Sequence, residues 1–316
     1  MPKLDADYVF HLSIGSHALA QRLAQLETDK ERRKHKLGVV AKKTELLKIV
    51  YPGELGHLTE TVQFSALPSR LGQHEDEETR RMLLIDLMFS DPFAPFELKF
   101  EKSDMDTALI EVASVIGLTK ADVKSMRTTQ AKAARAHVAR NTATIVAIGT
   151  GVGVAAAIGA VIAGPIIGAA LGGAVYGLAG AAAANAGLAL LGGGSLAAGG
   201  LGMAGGMWVL AGAGAAIGLV GGGSGAAAML QLGTKGTKAE LIKLQVTYAE
   251  VLLRTQAELA KAQQVTRDLA ERQEELRRQL AEERDLNDRN AQRLKDLEET
   301  IEAVGHSLEW MKKAAS

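Results

Sequence analysis

Apolar and polar positions alternate in three different ways along the chain. Before residue 141, apolar side chains recur at helical spacing among charges. Thr79–Phe89 (TRRMLLIDLMF) has a broad apolar face. A helix is predicted over Met105–Ile116, capped by Ser103 or Asp104 and ended by Gly117, and Thr119 with Asp122 forms a capping-box start for the next. Between 141 and 234 charged positions vanish. Beyond 238 a three-four alternation returns: Leu241, Tyr248, Leu252 and Leu259, then Leu269, Gln273, Leu276, Leu280, Glu283, Asn287, Asn290, Leu294, Leu297, Ile301, Val304, Leu308 and Met311. Sustained spacing of this kind predicts a coiled-coil seam. Glu283, Asn287 and Asn290 interrupt it. Polar seam positions set the register of a continuous oligomeric coil, which is the preferred expectation. The alternative is a turn over Asp285–Asn290, with 239–284 folded back on 291–313; a single solvated helix is the third reading. The expected fold class is all-α: a soluble helical domain over 1–140, a Gly-rich multi-helix membrane segment over 141–234, and a coiled coil or helical hairpin over 235–316.

The middle segment carries the strongest signal. Its 94 residues, bounded by Arg140 and Lys235, contain no Asp, Glu, Lys, Arg or His. About 20 apolar residues cross a bilayer core, so two to four crossings fit. Of the chain's 35 glycines, 27 lie here. Glycine in a helix costs roughly 1 kcal/mol in water, but in lipid it lets helix backbones approach closely. Gly164, Gly168 and Gly172 form one small-xxx-small stripe, Gly202 and Gly206 a second, and Gly214, Gly218 and Gly222 a third. Helices are predicted near 143–163, 166–190 and 207–231, with a short one near 195–206. Pro165 and the triple glycines at 192–194 and 221–223 are the expected breaks. Lys120, Lys124, Arg127, Lys132, Arg135 and Arg140 precede the segment, and Lys235, Lys238 and Lys243 follow it. Basic flanks on both sides put both termini in the cytoplasm, with an even number of crossings. Tyr176 and Trp208 are the segment's whole complement of Tyr and Trp. So sparse an aromatic belt suits conditional insertion, with the segment shielded or inserted at rest.

Composition removes several functions. Lys and Arg number 36 against 36 Asp and Glu, so a general nucleic-acid binder is not expected. With no cysteine there is no disulfide or thiolate site. The seven His are scattered without zinc-ligand spacing. Gly200–Gly205 matches G-x-G-x-x-G, but no strand precedes it and no acid follows until Glu240. Ser195 and Ser224 have no His or acid nearby in sequence, and there is no P-loop. No enzyme site, metal or cofactor is expected. No apolar h-region follows the first Lys, so a cytoplasmic start is expected. Residues 30–43 hold seven cations, Lys30, Arg32, Arg33, Lys34, Lys36, Lys42 and Lys43, against Glu31. They fit either anionic lipid headgroups or a solvated helix face.

Two resemblances extend this reading. Met82-Leu-Leu-Ile-Asp-Leu-Met-Phe-Ser-Asp91, then Leu109-Ile-Glu-Val-Ala-Ser-Val-Ile-Gly-Leu118 with Thr119-Lys-Ala-Asp-Val, resembles the TerB-type domains of tellurite-resistance and phage-defence proteins. The resemblance covers 82–126 and implies a small all-α module. Ser90-Asp91-Pro92 stands where such domains have Ala-Asp-Gly, and Phe93–Phe100 replaces their acidic loop, so a metal role is not carried over. Gly187–Gly206 is similar to Gly-rich membrane segments of bacterial proteins and, more distantly, of small interferon-inducible animal proteins. The combined expectation is an effector of the bacterial inner membrane that oligomerises through the coil and permeabilises the bilayer in stress or anti-phage defence. The alternatives are a non-toxic anchored scaffold for a stress or resistance complex, and a secreted translocator-type pore protein.

Overall fold

Local hydrogen bonds decide where the helices begin. Asp29 accepts from the Arg32 amide at 2.8 Å and separates α1 (Ala6–Leu26) from α2 (Lys30–Val50). Asp76 accepts from the Thr79 amide at 2.6 Å and its hydroxyl at 2.8 Å, opening α3 (Glu77–Phe89). Such acceptors satisfy amides that a first helical turn leaves without a partner. α4 (Lys102–Val115) starts ahead of its predicted first residue, Met105. Its N-cap is Glu101, with no side-chain cap bond, rather than Ser103 or Asp104. The Lys102–Asp106 pair, 2.6 Å apart at i,i+4 spacing, favours the earlier start.

Gly117 ends α4 in the left-handed region, with φ 74°. The Leu118 amide reaches the Ala113 carbonyl at 2.8 Å and the Gly117 amide reaches Ser114 at 3.3 Å, which is the Schellman arrangement. Thr119 and Asp122 then cap α5 (Lys120–Ala136) reciprocally: the Thr119 amide donates to the Asp122 carboxylate at 2.9 Å, and the Asp122 amide donates to the Thr119 hydroxyl at 3.3 Å. Burial opposes ionisation of Asp122, but bonds from Thr119 and Arg81 outweigh it and hold the carboxyl below its ordinary value.

The computed structural model describes residues 6–50, 76–93, 96, 98–137, 225–254, 259–285 and 291–316, and every regular element among them is helical. The remaining elements are α6 (Gly225–Thr247), a π-helical turn (Tyr248–Leu252), α7 (Leu259–Asp285) and α8 (Ala291–Ala315). The described chain divides into two compact units between Val123 and Lys124, inside α5.

In the first unit α1 packs against α2, α3 and α4. Leu12, Ile14, Leu19 and Leu23 of α1 meet a core shared with Leu83, Leu84 and Leu87 of α3 and Leu109 of α4, all buried. Tyr8 donates to the buried Asp86 carboxylate at 2.7 Å, joining α1 to α3. Burial, then the Asp86 charge, pushes the Tyr8 phenol well above its ordinary value.

In the second unit α6, α7 and α8 pack against one another. α6 runs unbroken through Thr234 and Lys235, so the edge of the uncharged tract is not a helix end. α7 and α8 are antiparallel, with the Gln273 amide donating to the Ile301 carbonyl at 3.1 Å, Arg293 pairing with Glu283 at 2.6 Å, and Arg284 pairing with Glu298. Two polar positions of the predicted seam, Gln273 and the interruption Glu283, are thereby used within the chain; Asn287 and Asn290 lie outside the described residues. Glu283 meets Arg293. Gln273 reaches a backbone carbonyl beside Gly305, where an added Cβ would lie 2.8 Å from its Nε2.

Two helical glycines give opposite expectations. A Cβ on Gly15 would sit 2.7 and 3.0 Å from the two methyls of Leu87, which is 0 % exposed. A Cβ on Gly38 would meet nothing within 4 Å. Alanine gains roughly 1 kcal/mol in a helix interior, whereas overpacking a filled core costs about 1–3 kcal/mol. In urea denaturation Gly38→Ala should therefore stabilise the chain by about 0.5–1 kcal/mol, and Gly15→Ala should destabilise it by roughly 1–2 kcal/mol. Stabilisation by both would show that Leu87 moves aside at no cost.

Candidate functional site

The basic run on α2 is two populations interleaved. Arg33 donates to the Glu27 carbonyl at 2.8 Å and the Gln25 carbonyl at 2.9 Å, closing the C-terminus of α1. Lys36 is buried and donates to Glu27 at 2.8 Å. That bond, then the amide of Asp29, holds the Glu27 carboxyl below its ordinary value. Lys43 donates to the Pro92 carbonyl at 2.5 Å. Burial pushes its ammonium down to about 8, with the Asp91 carboxylate acting against it. Arg32 lies 3.3 Å from Glu27 yet stays 68 % exposed. Lys30, Lys34 and Lys42 are exposed and reach no carboxylate among the described residues; Lys42 lies 5.9 Å from the centre of the Phe96 ring.

The second unit holds a buried polar cluster. His137 Nε2 lies 3.0 Å from Gln245 Oε1 and 3.1 Å from Ser307 Oγ, so a proton on Nε2 is shared between α6 and α8. Burial pushes His137 down to about 4. The Gln245 bond opposes this, while the His306 and Lys238 charges add to it. One turn beyond Gln245, Glu250 in the π turn accepts from Ser125 at 2.9 Å and Thr129 at 2.6 Å, both on α5. The cluster therefore ties α5 to α6 and α8. The side chains of His137, Gln245, Glu250 and Ser307 are all buried, and the Ser307 hydroxyl also reaches the Ala303 carbonyl of its own helix at 3.2 Å. Among the described residues no group of three or more His, Asp or Glu could hold a metal ion.

The residues singled out from the sequence are distributed unevenly. Gly164, Gly168, Gly172, Gly202, Gly206, Gly214, Gly218, Gly222 and Arg140 lie outside the described residues, as do the predicted helices 143–163, 166–190 and 195–206. Lys132 and Arg135 are exposed on α5, Lys235 lies within α6, and Lys238 is half-buried, 3.9 Å from Glu299. Of the seam, Leu276, Leu297, Val304 and Leu308 are buried, and Leu280, Leu294 and Ile301 are half-buried. Among the described residues no helix is long and apolar enough to cross a membrane. His137, Gln245, Glu250 and Ser307 carry no shared sequence signal, because His137 and Gln245 are 108 positions apart and no local motif joins them. Comparison with protein-family models, curated proteins and solved structures finds no match to this chain.

The cluster has a pH signature. Below pH 6.5 the unfolded chain protonates His137, while the folded chain resists until about 4. Stability from this residue is therefore complete above 6.5 and is lost as the pH falls towards 4, by up to about 1.4 kcal/mol per pH unit. In a Trp208→Phe background Trp310 reports on α8, and its urea midpoint should drop between pH 7 and pH 5. His137→Gln should flatten that drop; an equal drop in the variant would place the acid sensitivity elsewhere.

Proposed function

We propose that this chain acts at a bilayer, as an oligomerising membrane-permeabilising effector of bacterial stress or anti-phage defence. The observation that carries this is the tract 141–234: 94 residues without Asp, Glu, Lys, Arg or His, with glycines at small-xxx-small spacing. Each charge at a bilayer centre costs on the order of 3 kcal/mol, so a tract free of charge enters at far lower cost than any other part of the chain. The glycine stripes let its helices pack against each other or against other copies. We assign assembly to these stripes, because Leu276, Leu297, Val304 and Leu308 are already covered within the chain. The hydrogen bond between His137 and Gln245 supports a hairpin topology. Arg140 follows His137 by three residues, and Lys235 precedes Gln245 by ten residues of α6, roughly 15 Å of helix. A tract whose two ends return to one cluster crosses a bilayer an even number of times. The inner membrane of a bacterium, with both flanks on its cytoplasmic side, is the proposed location.

A non-toxic anchored scaffold is the second reading. It is favoured by the intrachain filling of the α7–α8 seam, which leaves the C-terminal helices without a demand for other copies, and by the resemblance of 82–126 to TerB-type modules.

The discriminating measurement is membrane potential, followed by a dye in bacteria expressing the chain, with and without phage challenge. Depolarisation is expected, weakened at least tenfold by Gly168→Leu with Gly218→Leu. Carbonate-resistant membrane residence without depolarisation in any condition would replace the effector reading with the scaffold reading.

A further inference from the structure

We propose that the exposed face of α2 is a docking surface for an anionic bilayer, bringing the first unit onto the lipid headgroups. The inference rests on the reading that the chain works at a membrane, and it assigns a contact to a part of the molecule that the uncharged tract does not include.

The surface is defined by what the fold leaves over. Arg33, Lys36 and Lys43 are committed to the Glu27 and Gln25 carbonyls, the Glu27 carboxylate and the Pro92 carbonyl. Lys30, Lys34 and Lys42 are exposed, and no described carboxylate pairs with them. With Gly38 they stand four residues apart, which places all four on one helix face over roughly 18 Å. The acidic residues of the same face are fewer and partly engaged: Glu45 pairs with Lys48 at 3.0 Å, and Glu31 remains. Two exposed apolar side chains flank the lysines, Leu37 at 44 % and Phe96 at 37 %. Phe96 lies beneath Lys42, whose Nζ is 5.9 Å from the ring centre. Long lysine stems beside exposed Leu and Phe suit a headgroup layer, where the ammonium meets phosphate and the apolar groups enter the acyl boundary.

Magnitudes make the contact measurable. A lysine near an anionic leaflet is worth about fivefold in partitioning, so three together are worth on the order of a hundredfold. The attraction is screened within about 8 Å at physiological salt, so it should fall steeply as salt rises.

The chain offers a clean probe. It has no cysteine, and a Cβ at Gly38 meets nothing within 4 Å. Full-length Gly38→Cys, carrying an environment-sensitive dye, is mixed with vesicles that are either one-third anionic or wholly neutral. Exposed Ser103→Cys, labelled the same way, is the control. The expected result is a blue shift and quenching by a lipid-borne quencher at position 38 on anionic vesicles only, weakened by 0.5 M salt, with position 103 silent. Lys30→Gln, Lys34→Gln and Lys42→Gln together should raise the lipid concentration needed by on the order of a hundredfold; circular dichroism at the wild-type level verifies that this variant folds. The proposal is overturned if the signal at 38 is the same on neutral vesicles, is unchanged in the triple variant, or is reproduced by a DNA duplex. If it is overturned while the chain still sediments with vesicles and resists carbonate, the membrane reading stands and the docking face alone falls. If neither label responds and nothing sediments, the membrane reading itself has failed.

Discussion

The second unit depends on a carboxylate that has to be satisfied where water does not reach. Glu250 is 5 % exposed, and its Oε1 accepts the hydroxyls of both Ser125 and Thr129. Bonds to a charged acceptor contribute about 1.5–3 kcal/mol each, and an unsatisfied buried carboxylate costs more than either supplies. α5 is therefore held against the end of α6, although 121 positions separate Thr129 from Glu250. His137 continues the same line onto Gln245 and Ser307. The residues that lead into the uncharged tract are thus fastened to the helix that leads out of it.

This fastening gives the tract's chemistry a geometric setting. Absence of charge alone makes a segment cheap to bury, in lipid or in protein. The sequence on both sides of the tract returns to one buried cluster, with His137 before it and Gln245 after it. α6 passes through Thr234 and Lys235 without a break, so the end of the tract belongs to the same helix as Gln245. Helix continuity follows backbone hydrogen bonds and side-chain packing, neither of which respects the point where charges resume.

Legibility in the sequence followed the range of the interaction. Gly117, Thr119 and Asp122 act within six positions of one another, and their cap and turn were readable from residue type. The broad apolar face of Thr79–Phe89 became a helix buried along almost its whole length. The start of α4 was misplaced because a Lys102–Asp106 pair extends it without a cap residue. The run 30–43 reads as a single basic patch, yet Arg33, Lys36 and Lys43 find partners on segments whose approach no spacing rule predicts. The C-terminal repeat shows the same limit. A three-four pattern defines a seam but not the helix that fills it. The contacts of Gln273 with Ile301, Arg293 with Glu283 and Arg284 with Glu298 show that the filling comes from the same chain.

The π turn shows how one local departure lets these contacts coexist. The Leu253 amide bonds to the Tyr248 carbonyl at 3.0 Å, one residue further back than an α-helix allows. An extra residue in the turn advances everything after it by roughly 100° around the axis. A plain α-helix would hold Gln245 and the residues beyond Leu252 in a different angular relation. With the inserted residue, Gln245 reaches His137, Glu250 reaches Ser125 and Thr129, and Tyr248 and Leu252 stay in the apolar core. The irregular turn sacrifices good backbone geometry over five residues, Tyr248–Leu252. Glu250 lies within the same five residues, so the departure from α-helical geometry and the two hydrogen bonds to the buried carboxylate fall at one place in the chain.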